Sequence, residues 1–556
     1  TSPTPPPFRP AWYTQRSPEG AYNDLARPAT GMANTRFGRN VPLDRTRPEP
    51  EAALLSPSPR TISRELLVRR EFVPATSLNV LAATWIQFMV KDWFSHGEGD
   101  PAHVWEIPVR ADDPWPQPPL RILKTLPDPT RADSSAPPTF LNTETHWWDG
   151  SQIYGSTLVG QQRRRTMKDG KLVIGADGRL ALPGDPALNP AMVPGWWLGL
   201  NMMATVFVRE HNAICDRLRE DYPSWSDEEL FQRARLINAA LMAKIHTVEW
   251  TPAVIGHPTT VAAMKTNWWG LASEPVRKMF GRISKSEVIS GITGSETEDY
   301  GVPYSLTEEF TIIYRMHPLI PDEYEFRSAA TGETLFTKNL DEITGPAAQD
   351  LTERVAMPDI FYSFGISHPG AIVLHNFPRF LQQFKRPDSD VLMDLAATDI
   401  LRSRELGVPR YNEFRRQVHL KPARSFDELT GGDAALADEI RRVYGNDIER
   451  VDLLVGMFAE PRPEGFAFSD TAFRIFIVMA SRRLNSDRFL AHDFRNDVYT
   501  PVGMDWVQNN SFLSVLLRHY PELRPALRGI DNAFKPWDRP GDGQGLLGGA
   551  EEGLTW

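Results

Sequence analysis

The sequence predicts a mainly α, large single-domain fold with few short strands. Three observations carry that expectation. Apolar residues recur at helical spacing through most of the chain, capping signals precede those runs, and no internal repeat or low-complexity linker divides the body. Twelve of the 48 prolines fall in the first 60 residues, a density that denies the backbone helix and central-strand hydrogen bonds. Residues 1–60 are therefore expected to form an extended arm on a body spanning 61–534, and the Gly-rich segment 535–556 a flexible tail.

Thr76 or Ser77 is placed to cap a helix with Leu78, Leu81, Trp85 and Phe88 on one stripe. Thr84, Gln87 and Lys91 form a second, polar stripe on the same helix, and a polar seam within an apolar helix suggests a lined cavity. Residues 201–219 read as another helix. Ser226 with Glu229 has the spacing of a capping box opening a helix that runs through Ala234, Ile237, Leu241 and Ile245 to Trp250. Ser305 with Glu308 repeats that spacing ahead of FTIIYRMH. Strand-like segments are limited to short pieces such as 171–174 and 371–374.

The net charge of −10 argues against nonspecific nucleic-acid binding, which needs a basic footprint to release counterions. Of the 61 cations only 12 are lysines. The single Cys215 excludes an intrachain disulfide. The longest apolar stretch, 78–90, contains Asn, Thr and Gln and ends at Lys91, whereas a membrane span needs about 20 apolar residues. The start lacks a basic segment followed by an apolar one, but it also lacks Met, so a removed leader stays open. A soluble, cytoplasmic monomer is expected, with peripheral membrane contact left open.

Several constellations have chemical potential. In Tyr314-Arg315-Met316-His317, spacing of three puts phenol and imidazole on neighbouring positions of a helical face; histidine can ligate iron, and a phenol beside it can be oxidised. Gln87 and Lys91 form an i,i+4 pair flanked by Trp85, Phe88, Met89 and Trp93. Thr145, Asp149 and Ser151 in TETHWWDGS offer hard oxygen ligands of the kind Ca²⁺ takes. His246 and Thr251 end a long apolar helix, and arginines recur from Arg402 through Arg410 to Arg416. Taken singly, each also has a plain reading as a core histidine, an Asp-Gly turn or an ion-paired surface.

Their order along the chain is more specific. The series WIQFMVKDW, TETHWWDGSQIYGS, FVREHNAICD, ARLINAALMAKIHTVEWT, GVPYSLTEEFTIIYRMHPLIPD and RSRELGVPRYNEFRR resembles the peroxidase–cyclooxygenase superfamily of haem proteins. Within it the similarity is to the fatty-acid α-dioxygenases, over roughly 31–527. The resemblance implies haem b with His317 as proximal ligand, Asp399 supporting it, and Arg402 and Arg410 near the propionates, although Leu406 replaces the middle member of that set. It implies Ca²⁺ bound by Asp92, Thr145, the Trp147 carbonyl, Asp149 and Ser151. It also implies a fatty-acid carboxylate held by His246, Thr251 and a late arginine, with Arg482 the first choice and Arg483 the second. A peroxide-primed radical on Tyr314 would then remove a C2 hydrogen, and O₂ would give a 2-hydroperoxide. The departure is Lys91, which stands with Gln87 where the family pattern has histidine, so altered priming is expected. Two alternatives remain: oxidation of another carboxylate-bearing small molecule, or a haem-binding homologue without turnover in which Lys91 ligates the iron.

Overall fold

Two long helices, Leu198–Asp221 and Asp227–Ile245, pack side by side across a short connection, and the helix Val80–Trp93 lies against the first. All three bury apolar side chains around most of their circumference, as expected of central helices. This is a computed structural model, and it describes residues 3–131, 133–180, 193, 195–387 and 389–537. Most of the expected tail, 538–556, lies outside the described residues. One continuous apolar cluster runs through the body, with a small satellite around Trp105, Trp115 and Leu120.

The capping box at Ser226 forms as its spacing predicts: the hydroxyl accepts from Glu229 N, and the Glu229 carboxylate accepts from Ser226 N at 2.8 Å. Two other caps differ from expectation. Asn79, not Thr76 or Ser77, precedes Val80–Trp93, because its amide is used to pin the chain end by donating to the carbonyls of Ala533 (2.7 Å) and Lys535 (2.8 Å). Thr307, not Ser305, caps Glu308–Ile313, accepting from Phe310 N at 3.1 Å; Ser305 instead packs closely on Gly38.

The strands also fall elsewhere. Asp100–Ile107 pairs antiparallel with Leu120–Lys124, and Glu323–Arg327 with Thr334–Asn339. In 171–174 only Leu172 forms a bridge, to Arg165, and 371–374 forms bends and a turn whose apolar side chains are taken up by the core. The proline-rich arm contains short helical turns at Pro10–Tyr13, Leu43–Arg45 and Glu51–Leu54. It is held to the body by Arg16, whose guanidinium donates to both oxygens of Asp487 at 2.9 and 3.0 Å, and by Asn23 on the same carboxylate. At the other end Trp537 is buried, with its N–H on the Gly365 carbonyl, so 535–537 belongs to the packed body.

Candidate active site

A cavity of about 350 Å³ is bordered by Ala83, Ile86, Gln87 and Val90 from the helix Val80–Trp93 and by Tyr314, His317, Lys385 and Arg386. Tyr314 and His317 do not share a helix: Glu308–Ile313 ends at Tyr314, and His317-Pro318 opens a 3₁₀ turn. The turn nevertheless leaves both rings on the cavity wall. The Asp399 carboxylate lies 2.6 Å from His317 Nδ1, and its other oxygen accepts from Arg315 at 2.7 Å. Burial alone would raise the Asp399 pKa, but the neighbouring His317 and Arg315 outweigh it and hold the carboxylate below its usual range. Anionic Asp399 fixes the Nδ1–H tautomer, leaving the Nε2 lone pair on the far side of the ring. An anchored imidazole on an apolar cavity fits a haem, and the cations bordering that cavity are Lys385 and Arg386.

Arg402 and Arg410, expected near the propionates, do not border this cavity. Arg402 is committed to Glu405 (2.6 Å) and the Leu123 carbonyl, and Arg410 to Asp452 (3.0 Å) and Glu49 (2.7 Å). Both brace elements behind the site.

Beside Tyr314 lies a set of groups suited to a carboxylate. The helix Asp227–Ile245 does not continue as an α-helix to Trp250 but passes into a π-helical turn, His246–Trp250, in which Thr251 N–H bonds the His246 carbonyl five residues back. In an α-helix those residues would lie about 140° apart; the wider turn stacks them on one side. His246 Nδ1 accepts from Trp85 Nε1 at 3.2 Å, so its proton is on Nε2. Burial, and then the Arg483 cation, hold its pKa well below the ordinary value, and it is neutral. Thr251 Oγ1 is buried without a protein partner, as are Arg483 Nε and Nη2. The Arg483 guanidinium lies in the corner made by two perpendicular indoles, 4.0 Å from the Trp93 ring centre and 4.1 Å from that of Trp148. Trp93 also packs edge-on to His246 (5.0 Å) and Tyr314 (5.2 Å), so one indole ties all three together. Cation–π contact contributes about 0.5–2 kcal/mol, less than a buried cation needs, and the unused donors call for an anion.

Arg482, the first choice for that role, faces away: it donates to the Val302 carbonyl at 2.7 Å. One residue along the helix Asp470–Ser486 is a turn of about 100°, and Arg483 is the one that faces inward.

The oxygen cluster assembles from two segments. Ser151 donates to Asp92 Oδ1 through its N–H (2.6 Å) and hydroxyl (2.8 Å), and Thr145 donates to Asp149 Oδ2 at 2.7 Å. Asp92 and Asp149 are fully buried, and burial together with their mutual repulsion raises the Asp92 pKa well above the usual range. Asp149 Oδ1 has no hydrogen-bond partner. The Trp147 ring turns away onto Tyr304 and the Gly20 carbonyl. Among the described residues no group of three or more His, Cys, Asp or Glu side chains is arranged around a metal position. An ion here would rest on two carboxylates with hydroxyl and carbonyl oxygens.

Lys91 does not border the cavity, although Gln87 one turn earlier does. Its Nζ lies beside Gly195, where an added Cβ would be 3.9 Å from both Lys91 Nζ and Gln87 Nε2. Burial lowers the Lys91 pKa and the nearby Glu144 carboxylate opposes that shift. His96, past the helix end, is 2.7 Å from Glu308 and stacks on Phe37. The tryptophan shelf, Lys385, Arg386 and Glu144 escaped the sequence reading. Trp93 and Trp148 stand in the quoted motifs but read only as apolar flanks.

The animal haem peroxidase family matches residues 15–529, and the chain belongs to that family. Within it the chain belongs with the alpha-dioxygenases. The alpha-dioxygenase PIOX of Oryza sativa subsp. japonica is 38% identical over 548 residues, 96% of this chain and 87% of that protein. The crystal structure of the Oryza sativa fatty acid alpha-dioxygenase matches with a TM-score of 0.89 at 37% identity, covering 96% of this chain and 88% of that one. A tyrosine-to-phenylalanine variant of that enzyme with palmitic acid matches at 0.90 and 36%, covering 97% and 89%.

Proposed function

We propose that this protein is a haem-dependent fatty-acid α-dioxygenase that converts a long-chain fatty acid and O₂ into the 2-hydroperoxy acid. The observation that carries the reading is the unused donor set of Arg483, Thr251 and neutral His246, joined to Tyr314 through Trp93. Haem bound at His317, activated by peroxide, supplies the one-electron oxidising power. The carboxylate pairs with Arg483 and accepts hydrogen bonds from Thr251 Oγ1 and His246 Nε2. Anchoring that end leaves C2 as the first reactive carbon beside Tyr314, so binding and regiochemistry are one geometric fact. Burial, only partly offset by the Arg483 cation, raises the Tyr314 pKa. The phenol therefore reacts by loss of a hydrogen atom, and its oxyl form regains one from C2. O₂ adds to the carbon radical, and the resulting peroxyl radical takes the hydrogen atom back from the Tyr314 phenol, giving the hydroperoxide and restoring the oxyl form. Palmitate given to the haem-loaded protein with O₂ and traces of peroxide should yield 2-hydroperoxypalmitate or the aldehyde one carbon shorter; oxygen uptake without either product refutes the assignment.

Two finer readings accompany it. Lys91 is tied by charge to Glu144 and leaves Gln87 as the polar side chain of its helix on the cavity, so activation by peroxide is slower than with histidine at that position. Lys91→His should shorten the lag before oxygen uptake, and an unchanged lag refutes the idea. Calcium at Asp92, Thr145, Asp149 and Ser151 clamps the Asp-Gly loop to the end of the helix Val80–Trp93, which is supported by the unpartnered oxygen of Asp149.

A further inference from the structure

A second surface stands apart from the cavity. The segment after the π-helical turn folds into three short helices, Pro258–Trp269, Ser273–Phe280 and Glu287–Ser290. Its inner side is firmly seated: Met264, Trp268 and Trp269 are buried, Arg277 donates to the Thr293 carbonyl, and Arg282 to the carbonyls of Gly291 and Thr293. Backbone bonds from Leu271 and Ala272 to Val288 and Ile289 close it into one unit. Its outer side is apolar and exposed. Leu271 is 69% exposed, Met279 73%, Phe280 67%, Ile283 55% and Val288 59%, with Ile289 beside them. Scattered apolar residues on a surface need no explanation, but this many within 19 residues of a well-anchored unit do.

The charge around the patch is reversed relative to the chain. Between 258 and 291 there are five Lys and Arg against two Glu, in a protein of net charge −10. Arg277 and Arg282 face inward and Lys278 pairs with Glu274 at 2.6 Å, which leaves Lys265 and Lys285 on the outer side. Lysine is scarce, yet three of the 12 lysines, Lys265, Lys278 and Lys285, are exposed within this unit. Exposed bulky apolar side chains in one unit with exposed lysines form the pattern of an element lying in a lipid headgroup layer, where apolar burial and attraction to anionic lipid add. In a two-fold dimer through this patch a second copy would set the same lysines against one another, whereas an anionic bilayer matches both properties.

The position is consistent with supply of an insoluble substrate. The helix Pro258–Trp269 packs directly on the His246–Trp250 turn, and its Asn267 donates to Ser481, on the helix that carries Arg483. We propose that the unit 258–291 is a membrane-docking surface that seats the protein on anionic lipid one helix layer away from the carboxylate anchor. The benefit to substrate uptake rests on the fatty-acid reading above; docking itself does not.

Flotation of the haem-loaded protein with vesicles of phosphatidylcholine, with or without phosphatidylglycerol, tests it. Wild type should float with the phosphatidylglycerol vesicles and lose binding at high salt. The Met279→Ser, Phe280→Ser double variant should bind at least about tenfold more weakly, since it removes two of the bulky exposed side chains available for burial in the headgroup layer. Lys265→Glu with Lys285→Glu should abolish the preference for the anionic vesicles. Oxygen uptake on detergent-dispersed palmitate should be unchanged in both, separating docking from the site. Failure of wild type to float with either vesicle, or equal flotation of all variants, overturns the proposal, as does concentration-dependent dimerisation through the patch without vesicle binding.

Discussion

Arg483 and Arg482 are neighbours with opposite roles. Arg483 lies buried against two indoles with Nε and Nη2 aimed at no protein acceptor, and Arg482 is spent on a surface loop. Removing one partner of a buried charge pair costs about 2–5 kcal/mol. Arg483→Gln should raise KM for palmitate to match, whereas Arg482→Gln should leave steady-state oxygen uptake near wild type. Tyr314→Phe should abolish product while leaving the haem absorption spectrum and palmitate binding in place. These residues also mark where sequence ceases to inform. Both arginines sit in one motif, and a rotation of about 100° decides between them. That phase is set by Trp93 and Trp148, contributed by distant segments.

At the scale of elements, the local signal at Ser226 was legible, the same spacing at Ser305 was displaced to Thr307, and tertiary signals were not legible. Ser226 and Glu229 cap their helix because the whole motif lies within four residues. The π-helical turn at His246 has no compositional mark: the sequence runs on as a helix, and only the i to i+5 bond reveals that the phase has changed. Arg410 offers a similar lesson, since an arginine in a motif reads as an anion ligand until its carboxylate appears. That carboxylate is Asp452, which takes Arg404 through both oxygens at 2.7 Å, Arg410 at 3.0 Å and the Tyr444 hydroxyl at 2.6 Å. It thereby holds the helix Leu395–Glu405, on which Asp399 stands. Asp452→Asn should destabilise the fold by about 3–5 kcal/mol, read from chemical denaturation. Burial opposes ionisation of Asp452, but Arg404 and Arg410 win and its pKa is lowered. A lowered carboxylate contributes fully above its unfolded value of about 3.9 and loses that contribution as pH falls through the folded value. Wild type should lose stability below about pH 4 more steeply than the Asn variant.

Over the whole molecule, no helix among the described residues is long and apolar enough to cross a membrane, and the fold is the mainly helical one that capping and periodicity predict. The exposed patch at 271–289 was not legible, because an apolar helical stripe reads the same whether it meets a core or a bilayer. Calcium belongs to this scale as well. If the ion clamps the Asp-Gly loop, EGTA should lower the Tm by several degrees, and Ca²⁺ but not Mg²⁺ should restore it, since the smaller ion demands octahedral geometry. The region around that loop is closed from the outside by the proline-rich arm: Arg235, 3.7 Å from Asp149, donates to the carbonyls of Arg16 and Ser17, and Arg16 reaches across 471 positions to Asp487. A contact of that sequence separation cannot form until Asp487 itself has been made. The arm therefore waits for its partner, and a chain shortened before Asp487 would leave both the arm and the loop beneath it without their latch.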